Sequence, residues 1–159
     1  MGSKILLIDD DLPLVRSLTR TLDFCGFVVL NAPDGMLGVQ MALRHKPDLI
    51  ILELHFPAGG AQFVLQNLRR SLITRDIPFL LYTSSLDEQA KKRLLDFGVL
   101  TYVQKSSDRE GLLAQIHSQL ESGYDQSLRH SSATTSDSGD FKRSSPTSEP
   151  LNPQAKNKQ

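Results

Sequence analysis

The chain has 159 residues, and its 18 Lys and Arg balance 18 Asp and Glu. Such a balance excludes a polyelectrolyte that binds nucleic acid through bulk positive charge. Apolar types make up 39% of the residues, yet only six apolar residues fall within the last 37. Residues 1–122 can therefore build one globular core, whereas 123–159 carry too little apolar surface to offset the entropy of ordering.

Taken in chain order, five apolar runs alternate with five stretches of helical spacing. Ile5–Ile8 reads as a strand, followed by Leu14, Val15, Leu18 and Leu22 on one helical face, with Asp11 as N-cap before Pro13 and Gly26 as the stop. Phe27–Leu30 is the second strand, and Val39, Ala42 and Leu43 mark a second helix closed by Pro47. Leu49–Leu52 and the helix of Val64, Leu65 and Leu68 follow, then Phe79–Tyr82 after Pro78, and a helix of Ala90, Leu94 and Phe97 ending at Gly98. The last strand is expected over Leu100–Val103, and the last helix carries Leu112, Leu113, Ile116 and Leu120, with Ser107 and Glu110 at capping-box spacing.

Strands that are apolar along their whole length and separated by helices imply a parallel sheet covered on both faces. The fold class is thus α/β, a doubly wound five-stranded sheet over residues 1–122. From 123 to 159 the chain holds eight Ser, three Thr and three Pro without apolar period. That composition predicts a disordered tail, in which Ser145-Pro146 beside Lys142 and Arg143 could serve a Ser/Thr kinase. One cysteine, Cys25, permits no internal disulfide, and the longest apolar runs are far too short to cross a bilayer. A cytoplasmic location without membrane association is expected.

In a parallel sheet all strands end on one edge, where ligands bind. The residues at those ends are Asp9, Asp10 and Asp11 after the first strand, Glu53 after the third, Thr83 and Ser84 at the fourth, and Lys105 after the fifth. Two acids, a hydroxyl and an amine are thereby predicted to converge.

Lys4–Asp11, Pro47–Pro57, Ile77–Ser84 and Gly98–Lys105 together resemble the response-regulator receiver domain, in family order and over roughly residues 4–121. The resemblance implies a flavodoxin-like strand order 2-1-3-4-5. It also implies phosphoryl transfer onto a carboxylate after the third strand, with Mg²⁺ held by that carboxylate, the acidic pair and a backbone carbonyl two residues on. By this correspondence Asp9 and Asp10 are the acidic pair, His55 supplies the carbonyl, Thr83 and Tyr102 are the switch positions, and Lys105 is the cation.

Three residues depart from the pattern. Glu53 stands where the family has aspartate, and its extra methylene adds about 1.5 Å of reach. A displacement on the order of 1 Å can lower a rate about a hundredfold, so Glu53 is expected not to be phosphorylated. Ser106 replaces the proline whose cis bond the family uses, and a non-proline cis bond costs about 2.5 to 4 kcal/mol, so a trans, rearranged loop is expected. Ser84 stands where alanine is usual.

Asp9, Asp10 and Glu53 in one crevice require a compensating cation, for which Lys105 is favoured, with Mg²⁺ weak or absent and no cofactor required. The expected function is a phosphorylation-independent signalling adaptor. Its partner is a protein, either a histidine kinase or another signalling or scaffold protein, bound through helix 4, strand 5 and helix 5. Lys91, Lys92 and Arg93 form a patch candidate on that face.

A phosphorylatable single-domain regulator using Asp10 or Glu53 is the alternative. A hydrolase on the same crevice finds no Ser-His-acid set and no Gly-rich phosphate loop, so an enzyme is not expected. No DNA-binding motif is recognised after residue 122, and no nucleic-acid partner is expected.

Overall fold

The computed structural model describes residues 2–57, 60–99, 101–105 and 109–132, the last eight by their backbone alone. In chain order the elements are β1 (Lys4–Ile8), α1 (Leu12–Phe24), β2 (Val28–Ala32), α2 (Gly35–His45), β3 (Leu49–Leu52), α3 (Gly60–Arg70), β4 (Phe79–Thr83), α4 (Glu88–Asp96), β5 (Tyr102–Gln104) and α5 (Arg109–Ser132). All strand pairs are parallel, and the sheet order is β2-β1-β3-β4-β5, as the resemblance to the receiver domain implied.

Helix starts follow from local hydrogen bonding. The carboxylates of Asp11, Asp34 and Asp87 accept from the backbone N–H groups of Leu14, Leu37 and Ala90 at 3.1, 2.8 and 2.6 Å, satisfying donors that the first helical turn leaves free. α1 and α4 are followed by Gly26 and Gly98 at φ 88° and 75°, the left-handed conformation glycine adopts without a Cβ penalty. α2 ends differently. Lys46 takes φ 47° and donates its N–H to Ala42 O at 2.9 Å, one residue before the proline that marks the stop in the sequence.

Alternate residues of each strand face opposite layers. On one side Leu6, Ile8, Ile50, Leu52 and Leu81 pack beneath Ala42, Val64, Leu65, Leu68 and Leu94 of α2, α3 and α4. On the other, Ile5, Leu7, Ile51, Leu80 and Val103 pack beneath Val15, Leu18, Leu22, Leu112 and Ile116 of α1 and α5. β1 and β3, enclosed on both sides, carry almost no exposed side chain. Arg69 ties the far edge together. Its Nε donates to Phe97 O at 3.0 Å, its Nη1 donates to Ile77 O at 3.0 Å and to Arg75 O, and its guanidinium lies 4.7 Å over the Phe79 ring.

α5 runs on past residue 122 to Ser132. The apolar period stops at Leu120, but 121–132 contain no proline, and the helical backbone continues through them. The proposed tail beyond Ser132, the capping residue Ser107 and the departure at Ser106 lie outside the described residues, as does Leu100 at the predicted start of the fifth strand. No helix among the described residues is long and apolar enough to cross a membrane.

Leu65 is fully buried between α3 and the sheet. Leu65→Ala should lower unfolding stability by roughly 2–5 kcal/mol, whereas Phe24→Ala, at a side chain 93% exposed, should change it by less than about 0.5 kcal/mol. Urea denaturation followed by circular dichroism measures both, and equal midpoint shifts would contradict the layering described.

Candidate functional site

Strand register brings the polar residues together. Ile8 pairs with Leu52 across β1 and β3, so the next residues, Asp9 and Glu53, emerge side by side from the same edge. Their backbones are fixed there: Asp9 N–H donates to Ala32 O at 3.1 Å and Glu53 N–H to Ile8 O at 3.0 Å. Thr83 pairs with Gln104, and Lys105 N–H donates to Thr83 O at 2.9 Å, which aims the lysine at the same crevice.

The Lys105 ammonium stands 2.7 Å from Asp9 Oδ2 and 2.6 Å from Glu53 Oε2. Asp9 and Glu53 are only 2% and 5% exposed, so both ionic contacts lie below the surface. Asp9 Oδ1 accepts from Asp11 N–H at 2.9 Å. Oδ2 meets the ammonium as an ion without an aligned hydrogen bond, the one buried side-chain oxygen among the described residues left in that state. Glu53 Oε1 folds back on its own backbone, accepting from Leu54 N–H at 2.6 Å and from His55 N–H at 3.3 Å. The added methylene therefore does more than extend the carboxylate outward.

Titration behaviour follows from these contacts. Burial pushes the Asp9 carboxyl up, and the Lys105 ammonium and Asp11 N–H only partly oppose it. Glu53 is held below its ordinary range, because Lys105, Thr83 and the Leu54 N–H together outweigh its burial. Lys105 is raised, its burial outweighed by the close contact and charge of both carboxylates.

Of the remaining predicted residues, Thr83 and the His55 N–H border Glu53, whereas Asp10 and Tyr102 stand outside this network. Asp10 is exposed and has no hydrogen-bond or ion-pair partner among the described residues, so the expected three-acid crevice contains two buried acids and one at the rim. Thr83 is buried and donates its hydroxyl to Ser85 O at 3.1 Å. Tyr102 is 51% exposed, with the Lys91 ammonium 5.8 Å from its ring centroid. Lys91 is itself paired with Glu88 at 2.6 Å, which ties part of the basic run to its own helix.

His55 faces solvent, and its N–H donates to Glu53. That N–H and the Leu54 N–H are participants the sequence reading passed over, since backbone donors carry no residue signature.

An Mg²⁺ shared by Asp9, Asp10 and Glu53 would compete with contacts these residues already make. Such an ion needs several oxygens in octahedral array, but both Glu53 oxygens are engaged, an ammonium bridges the two buried acids, and Asp10 is exposed at the rim. No group of three His, Cys, Asp or Glu side chains among the described residues is disposed to hold a metal.

Removing the ammonium should leave two buried carboxylates without a counterion. Lys105→Met is expected to cost about 3 kcal/mol at pH 7, toward the low end for a broken buried pair because the crevice opens at its rim. For the wild type, the raised Lys105 contributes stability that is present below pH 10.5 and lost as pH rises through the folded value. The lowered Glu53 contributes stability present above pH 4.5 and lost as pH falls through its folded value. In Lys105→Met both acids become easier to protonate in the fold, so the deficit should shrink between pH 7 and pH 5. Urea midpoints across that range test it, and a constant deficit would contradict the ion network.

Comparison with known proteins agrees with this geometry. The response regulator receiver domain matches residues 5–117. The chain is 37% identical over 117 residues to the DNA-binding dual master transcriptional regulator RpaA of Synechocystis sp., covering 74% of this chain and 48% of RpaA. It is 32% identical to the phosphate regulon transcriptional regulatory protein PhoB of Escherichia coli, covering 73% of this chain and 51% of PhoB. The chain thus spans about half the length of the curated relatives it matches.

Among solved structures, the CheY-like receiver domain protein of Methanospirillum hungatei superposes with a TM-score of 0.74 at 19% identity, covering 79% of this chain and 99% of that one. The BeF3-activated receiver domain of Klebsiella pneumoniae RstA gives 0.67 at 25% identity, covering 74% and 97%. The sheet order, the strand-end acids and these matches converge: the chain belongs to the response regulator receiver domain family.

Proposed function

We propose that this receiver domain transmits its signal by docking a protein partner without phosphorylation of Glu53. The observation that carries the reading is the double engagement of that carboxylate, with Oε1 on two backbone N–H groups and Oε2 on Lys105. In-line attack on a phosphorus atom requires an oxygen free to leave such contacts and approach along one axis, and small misplacement is costly. The ammonium already supplies positive charge between the two buried acids, the task a divalent cation would otherwise perform. This supports a site that needs no cofactor and binds Mg²⁺ weakly or not at all. The same engagement argues against a catalytic role, since neither Asp9 nor Glu53 is free to activate a nucleophile.

The docking surface is α4, β5 and α5. Tyr102 and Leu95 are each about half exposed there and flank a hollow of about 130 Å³ between α4 and β5. Aromatic and aliphatic anchors around a small pocket suit a protein partner, either a histidine kinase or another signalling or scaffold protein. A cytoplasmic setting fits such partners.

A second reading, a phosphorylatable regulator, is favoured by two observations. The matched relatives are named as transcriptional regulators, and Asp10 offers an exposed carboxylate with no partner among the described residues. Incubation of the full chain with acetyl phosphate and Mg²⁺, followed by intact mass, separates the two. No adduct of roughly 80 Da, one phosphoryl group, is expected for the wild type, while Glu53→Asp should gain one. An adduct on the wild type that disappears in Asp10→Asn would establish the second reading. In parallel, Tyr102→Ala should weaken capture of the partner about tenfold or more, whereas the phosphodonor should leave capture unchanged.

A further inference from the structure

The sheet edge opposite the acidic crevice carries a second feature, which the reading above does not use. A groove of about 310 Å³ opens between the α3–β4 connection and α5, lined by Pro47, Asp48, Ile73, Asp76, Leu120 and Tyr124 among others. Its apolar rim is unusually bare: Ile73 is 56% exposed, Tyr124 is 67% exposed, and the adjacent Leu72 is 78% exposed. Asp48 and Asp76 give the groove two negative charges, and no lysine or arginine is among its lining residues. Their present partners are modest. Asp48 Oδ2 accepts from the backbone N–H of Lys4 at 2.7 Å, and Asp76 lies 3.5 Å from Arg75 with both side chains more than half exposed, an arrangement worth little in water, with the Arg69 guanidinium also within electrostatic reach of Asp76.

What the groove fits is an aromatic side chain accompanied by cations, and the chain itself carries one. Beyond Ser132 the sequence holds 27 residues and a single aromatic, Phe141, followed directly by Lys142 and Arg143. α5 lines the groove through Leu120 and Tyr124 before continuing to Ser132, so the segment leaves the helix about two to three turns past the groove it would enter. From Gly123 the helix rises about 14 Å to Ser132, and the nine residues from there to Phe141 span up to about 30 Å when extended. The return path is therefore within reach, at an effective concentration near the millimolar range for a tether of this length.

We propose that Phe141, Lys142 and Arg143 dock back into this groove, Phe141 filling the apolar hollow between Ile73 and Tyr124 and the two cations facing Asp48 and Asp76. The tail is then an intramolecular ligand of the edge remote from the acidic crevice. The pairing does not depend on whether Glu53 accepts a phosphoryl group.

Amide NMR of the full chain tests this, comparing wild type with Phe141→Ala and with Lys142→Glu/Arg143→Glu, substitutions outside the core. Both variants are expected to shift the amides of Ile73, Asp76, Leu120 and Tyr124 in the same direction, with Asp9, Glu53 and Lys105 unmoved. The wild-type signals should move part of the same way in 0.5 M NaCl, about the range where charge pairs are screened. Superimposable groove amides in all three proteins would overturn the proposal. So would a response to the charge reversal with none to Phe141→Ala, which would mean surface electrostatics without groove filling. Shifts that vanish on dilution would also overturn it, assigning the groove to the tail of a second copy.

Discussion

Two carboxylates about 4 Å apart repel by roughly 4 kcal/mol where the effective dielectric is near 20, and this fold buries two at neighbouring strand ends. Asp9 and Glu53 follow registered residues of adjacent strands, Ile8 and Leu52, so the sheet spacing holds their backbones side by side. The Lys105 ammonium, carried in by the last strand, resolves the conflict by contacting both. One positive charge between two negative ones leaves the crevice short of neutrality. The two acids are displaced in opposite directions, Asp9 upward by its burial and Glu53 downward because Lys105, Thr83 and the Leu54 N–H outweigh its burial.

The fold was readable because each signal came from a long, periodic segment. β1 and β3 are apolar at every position since both faces are covered, and α1 keeps Val15, Leu18 and Leu22 on one side since only that side is buried. Boundaries were less legible where packing was not the cause. α2 stops through the left-handed Lys46, a conformation that a lysine does not advertise, and α5 continues past the end of the apolar period at Leu120.

At the site, the residue types and their strand ends were visible, but orientation was not. Asp11 was legible as a cap before Pro13, but nothing in three consecutive aspartates says that Asp9 is buried and Asp10 exposed. The return of Glu53 Oε1 onto Leu54 and His55 N–H groups was equally hidden, because it involves backbone donors. Exchange of one acid for a longer one thus changed which atoms it can reach as well as how far it extends. A family assignment fixes where the strand-end groups are placed, and the individual side chains then decide what those groups can do there.

Arg69 adds a constraint on how this domain can deform. Its guanidinium grips the carbonyl of Phe97, at the end of α4, together with carbonyls of the segment leading into β4. α4 begins at Glu88, just beyond the Thr83 end of β4, and finishes at this clamp. One end of the helix is pinned by charge-assisted bonds, while the start is held by a single exposed aspartate cap. Any swing of α4 therefore pivots about its far terminus, so the largest excursion falls at the turns nearest the acids, like a door hung from the side away from its latch.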